Sequence, residues 1–223
     1  EYRDFDTEFY SAKLSGGKKT FAYQLSAYYQ KENYRRIDER MRNGEYSRFD
    51  VNSDRIDQGL ILHSTLETGG GNILSGGVEM KFSSVDGGDF YKTSPDSILN
   101  AGKMQFTSLY LQDELDLFAN KLKITAGLRF DHARFYDGEY YTTDGAWTGV
   151  LPELKENDWV AFSPRLAAKY LPSDRISFYG SYSEGFRASI LDDLCRSGWM
   201  WVGPKVANPE LGPEKLHNYE VGM

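Results

Sequence analysis

The sequence predicts an all-β fold, and more narrowly a portion of an antiparallel transmembrane β-barrel, about eight or nine strands of its wall. Three observations point there. Apolar and polar side chains alternate over runs of about ten residues. Short turns and long polar connections alternate strictly along the chain. Tyrosine and phenylalanine, 16 and 13 of 223 residues, cluster toward strand ends.

The strands follow in order. From Thr20 to Tyr34, Phe21, Tyr23, Leu25, Ala27 and Tyr29 alternate with Ala22, Gln24, Ser26, Tyr28 and Gln30. Between Asp54 and Thr68 the apolar phase holds Ile56, Leu60, Leu62 and Leu66. Leu74, Gly76, Val78, Met80 and Phe82 then oppose Ser75, Gly77, Glu79 and Lys81. Leu109, Leu111, Leu115 and Leu117 share a phase with Asp113, a carboxylate that calls for either a bulge or a partner on a neighbouring strand. Leu122, Ile124, Ala126, Leu128 and Phe130 alternate with Lys123, Thr125, Gly127, Arg129 and Asp131. Val160, Phe162, Leu166, Ala168 and Tyr170 oppose Ser163, Arg165 and Lys169. A period of two sustained this long is a strand with one apolar face. At about 12 to 15 residues these strands exceed the soluble mode of about 5–6.

Short turns fall at Ser15–Lys19, Gly69–Asn72, Ala119–Asn120 and Pro172–Asp174. The expected long loops are Arg35–Ser53, Asp86–Lys103, Asp137–Asn157 and Ala188–Lys215. A compact soluble domain rarely carries several structureless loops of about twenty residues. An outer-membrane barrel does, with short periplasmic turns and long extracellular loops. Tyr28, Tyr29 and Tyr34, then Phe135, Tyr136, Tyr140 and Tyr141, and Trp159, sit where an interfacial aromatic girdle belongs.

Composition narrows the function. Mean hydropathy is −0.58, and no apolar run approaches the roughly 20 residues of a spanning helix. Net charge of −7 argues against a nucleic-acid partner. The single cysteine, Cys195, has no internal disulfide partner and no zinc spacing around it. A propeller, whose blades share a signature near this repeat length, is not supported because no signature repeats. Glu1 is not a natural start, so the chain is read as a fragment that begins and ends within strands.

Two stretches resemble a known family. Leu109-Tyr-Leu-Gln-Asp-Glu-Leu, followed by Leu122-Lys-Ile-Thr-Ala-Gly-Leu-Arg-Phe-Asp, is similar to the mid-barrel hairpin of TonB-dependent receptors. Tyr179-Gly-Ser-Tyr-Ser-Glu-Gly-Phe-Arg-Ala-Ser, then Ala207-Asn-Pro-Glu-Leu-Gly-Pro-Glu and Tyr219-Glu-Val-Gly, resembles two boxes of receptors for siderophores, haem and cobalamin. Phe186, Arg187 and Ala188 match the first box, and Asn208, Pro209, Leu211, Pro213 and Glu214 the second. Ser189 stands where the first box ends in proline, a change that should cost little in a loop. Haem receptors of the family carry a histidine between the boxes; Ala188 to Ala207 has none, which counts against haem. Pro213 stands where the glycan importers usually have tryptophan.

The resemblance implies a barrel of about 22 strands filled by an N-terminal plug, with residues 1–223 a partial barrel domain lacking the plug and the closing C-terminal strands. It implies active import across the outer membrane of a Gram-negative bacterium. TonB, engaging the TonB box of the plug, would be the protein partner and outer-membrane lipid the surrounding solvent. The expected ligand is a ferric siderophore first, cobalamin second and haem third, and a passive porin-like barrel is the rival from another class.

No catalytic or metal-binding arrangement and no resident cofactor is expected. His63, His132 and His217 each stand alone. Ser181-Tyr-Ser-Glu-Gly lacks the glycine that a nucleophile elbow needs, and Gly69-Gly-Gly leads into a strand rather than a helix. The acid pairs Asp50 and Asp54, Asp86 and Asp89, and Asp192 and Asp193 lack EF-hand spacing and read as solvated loop charge. Lumen-facing Arg129, Arg165 and Lys169 would attract an anionic complex or pair with Asp131, Glu79 and the plug, and pairing is favoured. In the last loop Trp199 and Trp201, beside Arg187, Arg196 and Lys205, suit a flat, anionic, conjugated ligand or simply pack the loop.

Overall fold

The computed structural model describes residues 2–42, 44–143, 145, 153–200 and 203–223, with the backbone alone at 42, 199, 200 and 203. Nine strands form one open antiparallel sheet, in which β1 to β8 follow chain order and β11 completes the series. They are β1 Tyr2–Lys18, β2 Phe21–Arg42, β3 Glu45–Gly69, β4 Asn72–Tyr91, β5 Ser97–Leu117, β6 Leu122–Thr142, β7 Asn157–Ser173, β8 Ile176–Arg187 and β11 Glu214–Gly222. Between β8 and β11 lie a single helical turn, α1 Leu191–Cys195, and a small hairpin of β9 Gly198–Met200 and β10 Gly203–Lys205.

Cross-strand register sorts the two faces. Leu14, Leu25, Leu62, Val78, Leu109, Phe130 and Phe162 stand opposite one another in a single row from β1 to β7. Leu14, Leu62, Val78, Leu109 and Phe162 are all exposed on that row. A continuous apolar face this large, uncovered by protein, requires lipid or another apolar partner. On β7 the apolar phase runs from Val160 to Tyr170 and stops at Asp158, the span that crosses hydrocarbon when tilted. The opposite face is mostly polar at the same level: Ser26, Ile61, Glu79, Ser108 and Asp131 stand in one row from β2 to β6.

The sheet continues well beyond that band. The strands expected at about 12 to 15 residues reach 25 in β3 and 22 in β2. The segments Arg35–Ser53 and Asp86–Lys103 are therefore mostly hairpin, not loop. Only residues 92–96 separate β4 from β5. The physical reason is plain: cross-strand amide pairing satisfies the backbone whether or not the side chains alternate. Beyond the band one flank meets water and the other a mixed polar and apolar contact under the strap, so the extensions leave no long period for a reader to find. In the third expected loop the strand lasts to Thr142; its middle, 144 and 146–152, lies outside the described residues.

Asp113 sits in unbroken register on both sides, so no bulge is present there. Its partner is Asn72 at the start of β4, whose Nδ2 donates to Asp113 Oδ1 at 2.9 Å. The β5–β6 bulge lies elsewhere, where Asp137 and Gly138 oppose Gly102 and Asp137 adopts φ 51°. That extra residue resets the faces. The expected aromatic girdle divides: Tyr29, Tyr136 and Tyr141 take the apolar side, while Tyr28, Tyr34, Phe135, Tyr140 and Trp159 take the polar side, by simple alternation except at Tyr140 and Tyr141, whose sides the bulge exchanges.

Four tyrosines lie over cross-strand glycines: Tyr23 over Gly16, Tyr28 over Gly59, Tyr110 over Gly77 and Tyr179 over Gly222. A Cβ at any of these glycines would meet the ring at 2.4–2.7 Å. Each ring thus covers backbone that would otherwise be bare.

Candidate functional site: the inner wall and an inward-folded strap

The described residues of 188–213 do not project from the end of the sheet. They fold back over its polar face as a strap, beyond the apolar band. Leu194 and Cys195 of α1 are fully buried against Val85, Ala133, Phe135 and Trp159, with Met104, Phe106, Phe186, Ala188 and Leu191 at the margin. Burial of side chains this size contributes about 1.5–3 kcal/mol each, enough to hold a loop.

Polar contacts fix the strap's position. Arg55 of β3 donates to Asp192 at 3.2 Å, and Arg196 pairs with Asp89 of β4 at 3.4 Å and with Asp192 at 3.5 Å. Lys205 binds Asp193 at 2.7 Å. The Ser197 amide donates to Asn100 Oδ1 at 2.8 Å, and the Ala207 amide to Ser197 Oγ at 2.9 Å. Asp89 is nearly inaccessible, and burial pushes its carboxyl upward against the pull of Arg196, Arg36 and Arg40. Burial, helped by Asp192, likewise pushes the Cys195 thiol up to about 12.

The two sequence boxes meet at the base of the strap. Phe186 stacks on Phe106 at 6.3 Å between centroids, and Ala188 packs beside the same cluster. Arg187 faces Glu214 in the first β8–β11 pair, 3.5 Å apart and well exposed. Asn208 donates its amide to the Asp193 carbonyl at 2.9 Å, and its side-chain oxygen accepts from the Glu210 amide at 3.0 Å. The Pro209 carbonyl accepts from Asn157 Nδ2 at 2.9 Å, and the Leu211 amide donates to the Asn208 carbonyl at 3.1 Å. Ser189 Oγ lies 3.0 Å from the carbonyls of Leu211 and of Gly212, so the residue standing for proline ties the boxes together. Pro213 immediately precedes β11, which Glu214 starts.

The structure therefore separates the residues singled out in the sequence. Arg196 is engaged by Asp89 and Asp192, Lys205 by Asp193 and Arg187 by Glu214. Trp201 lies outside the described residues, and Trp199 is described only as backbone in β9. Deeper on the wall, Arg129 donates to Glu79, Ser108 and Asp131 at 2.8 Å each, and Lys81 meets Glu79 at 2.5 Å. Arg165 and Lys169 are exposed on the same face and form no ion pair with a described residue. His63 bonds Tyr110, His132 pairs with Asp158 and His217 lies near Glu184; no metal-holding cluster occurs among the described residues. The fastening role of Asp89, Asp192 and Asp193 was missed in the sequence, where they read as loop charge.

One face made for lipid, an opposite polar face carrying partly buried ion pairs, and a segment folded inward over it define the wall of a transmembrane β-barrel. The model for the TonB-dependent receptor-like β-barrel matches residues 1–223. The chain belongs to the TonB-dependent receptor family, whose members are receptors and transporters rather than enzymes. It is 30% identical over 131 residues to the hemin receptor of Yersinia pestis, covering 54% of this chain and 17% of that protein. Its fold is similar to the ferric yersiniabactin uptake receptor FyuA of Yersinia pestis, with TM-score 0.66, 16% identity, and 99% and 33% of the two chains covered. The hemophore receptor HasR of Serratia marcescens gives TM-score 0.68 and 15% identity over 99% and 36%. The chain thus spans about a sixth of the curated relative it matches.

Proposed function

We propose that this chain is part of the wall of an outer-membrane receptor that imports chelated iron, energised by TonB acting through a plug inside the barrel. The observation that carries the reading is the family match across every residue of the chain. The inner-wall network of Arg129, Glu79, Asp131 and Lys81 supports it, because a plug needs polar contacts with the wall.

For the ligand, haem takes precedence on the sequence relationship to a hemin receptor. A ferric siderophore is the second reading, favoured by the absence of histidine from Ala188 to Ala207. Growth of a receptor-deficient host carrying the full-length protein, supplied with haem, single ferric siderophores or cobalamin, tests both. Rescue by haem only with functional TonB supports the first reading; TonB-dependent rescue by a siderophore alone replaces it with the second. Rescue independent of TonB would point to a passive pore and end the proposal.

A further inference from the structure

The strap leaves β8 at Arg187 and returns to β11 at Glu214, and these two residues face each other in the sheet. Both ends of the segment thus lie at one point, an arrangement that would let a loop swing over the mouth as a lid. Elements that move in this way have few buried apolar contacts and backbone groups open to water. Among its described residues the strap has the opposite character.

Its fastening is spread over both limbs and over β3 to β7. On the outgoing limb Asp192 meets Arg55 of β3, Arg196 meets Asp89 of β4, and the Ser197 amide meets Asn100 of β5. Leu194 shares one buried cluster with Phe135 of β6 and Trp159 of β7. On the returning limb the Pro209 carbonyl accepts from Asn157 of β7. The Ala207 and Asn208 amides donate across to Ser197 Oγ and the Asp193 carbonyl of the outgoing limb. Leu194, Cys195 and Ser197 are wholly inaccessible, and Ala207 nearly so. No one pair here is a latch whose release would free the rest.

A glycine on each side lets the two surfaces meet without a gap. A Cβ on Gly102 of β5 would lie 2.9 Å from the Phe135 ring and 3.0 Å from the Cys195 Cβ. One on Gly198 of the strap would lie 3.1 Å from Asp89 Oδ2. Contact this close is the packing of a protein interior, not of a loop resting on a surface. The base is braced as well, since Ser189 Oγ stands 3.0 Å from the carbonyls of Leu211 and Gly212 and ties the two limbs together.

We propose that the strap is a permanent part of the wall, not a lid, and stays docked while a ligand is captured and passes. Arg55, Arg196 and Lys205 then serve as its fasteners and Asn100 and Phe135 as its floor, and none of them is presented to the ligand. The parts that move to admit a ligand lie elsewhere in the receptor. The inference rests on the reading of the protein as an outer-membrane receptor.

The first test, on the full-length protein in detergent, needs no ligand. In hydrogen exchange, residues 193–198 and 207–208 should exchange within tenfold of the β6 segment around Phe135. Exchange a hundredfold faster in the strap, with β6 protected, overturns the proposal. The second test follows the Cys195 thiol in cells taking up haemin or a ferric catecholate, with and without functional TonB. A membrane-impermeant methanethiosulfonate is the label, and Glu210→Cys in a Cys195→Ser background supplies an exposed reference thiol. Cys195 should react at least a hundredfold more slowly than the reference under every condition. Labelling that rises tenfold during TonB-driven uptake overturns the proposal. Gly102→Cys sets a second thiol against Cys195, and a disulfide there needs the Cβ atoms to part to roughly 3.5–4.5 Å. Uptake by the oxidised variant should stay within twofold of the reduced form, whereas a loss that reductant restores shows that the strap must open. Heat-modifiable migration on gels checks that the variant folds; where it does not, labelling of Cys195 decides. Cells that take up neither iron source count against the receptor reading, and hydrogen exchange still decides whether the strap opens.

Discussion

The two halves of the sheet are held in different ways. In the half nearer the short turns, most apolar side chains point away from the protein, and backbone pairing, inner-face polar contacts and neighbour-to-neighbour ring contacts such as Phe130 with Phe162 bind strand to strand. In the half nearer the loops, the outward face turns polar and the apolar residues gather on the inner face under the strap. The same strands change their buried side partway along. One half depends on its solvent being hydrocarbon; the other carries a small protein core of its own.

The largest effect expected from this contrast is at the strap's centre. Phe135→Ala empties the cluster that holds Leu194 and should cost about 3–5 kcal/mol, read as earlier loss of strap protection in hydrogen exchange. Arg196→Ala should come close, about 3 kcal/mol, because it leaves the buried Asp89 carboxylate without its nearest cation. The sign of its pH dependence is fixed. A carboxyl raised in the folded state favours protonation there, so docking of the strap weakens as pH rises through the Asp89 titration and recovers as pH falls. Strap protection in the Arg196→Ala variant that is the same at acid and neutral pH would break this account.

Next comes the hydrocarbon half. Leu109→Arg, in the middle of the apolar row, should destabilise the folded barrel by about 2–4 kcal/mol in lipid, whereas Asp54→Arg, on the same face beyond the band, should cost about 0–1. Equal costs from urea unfolding in vesicles would mean that the band is misplaced. Cys195 sharpens the comparison from the other side. With its thiol held up at about 12 it should resist iodoacetamide near pH 8 in the intact protein and react when Arg196→Ala loosens the strap. The smallest effect belongs to the exposed Arg187–Glu214 pair, where Arg187→Ala should change stability by less than about 0.5 kcal/mol.

How far the sequence could be read follows the same division. The β5–β6 hairpin was legible residue by residue because lipid on one face and polar surroundings on the other impose a period of two. Beyond the band both flanks of a strand meet polar surroundings or a local core, and Arg35–Ser53 carried no alternation to separate hairpin from loop. The aromatic residues were legible as clusters, but the sides of Tyr140 and Tyr141 were not, since the Asp137 bulge changes the count before them. The boxes pointed to a family without disclosing their work, which is to close the base of the strap through Ser189, Asn208 and Pro209. The strap's core was hidden altogether. Val85, Ala133, Phe135 and Trp159 come from β4, β6 and β7, and only the folded register brings them to Leu194.

The four tyrosines seated on glycines have a consequence for assembly. A slip of one residue between β2 and β3 would turn Tyr28 to the wrong side, and a slip of two would drive its ring against Ile61 or Asp57 instead of bare backbone. Each seat therefore works as a key that fits in one alignment. Such keys occur in β1–β2, β2–β3, β4–β5 and β8–β11, so half of the strand pairs in the described sheet can check their own alignment as they form.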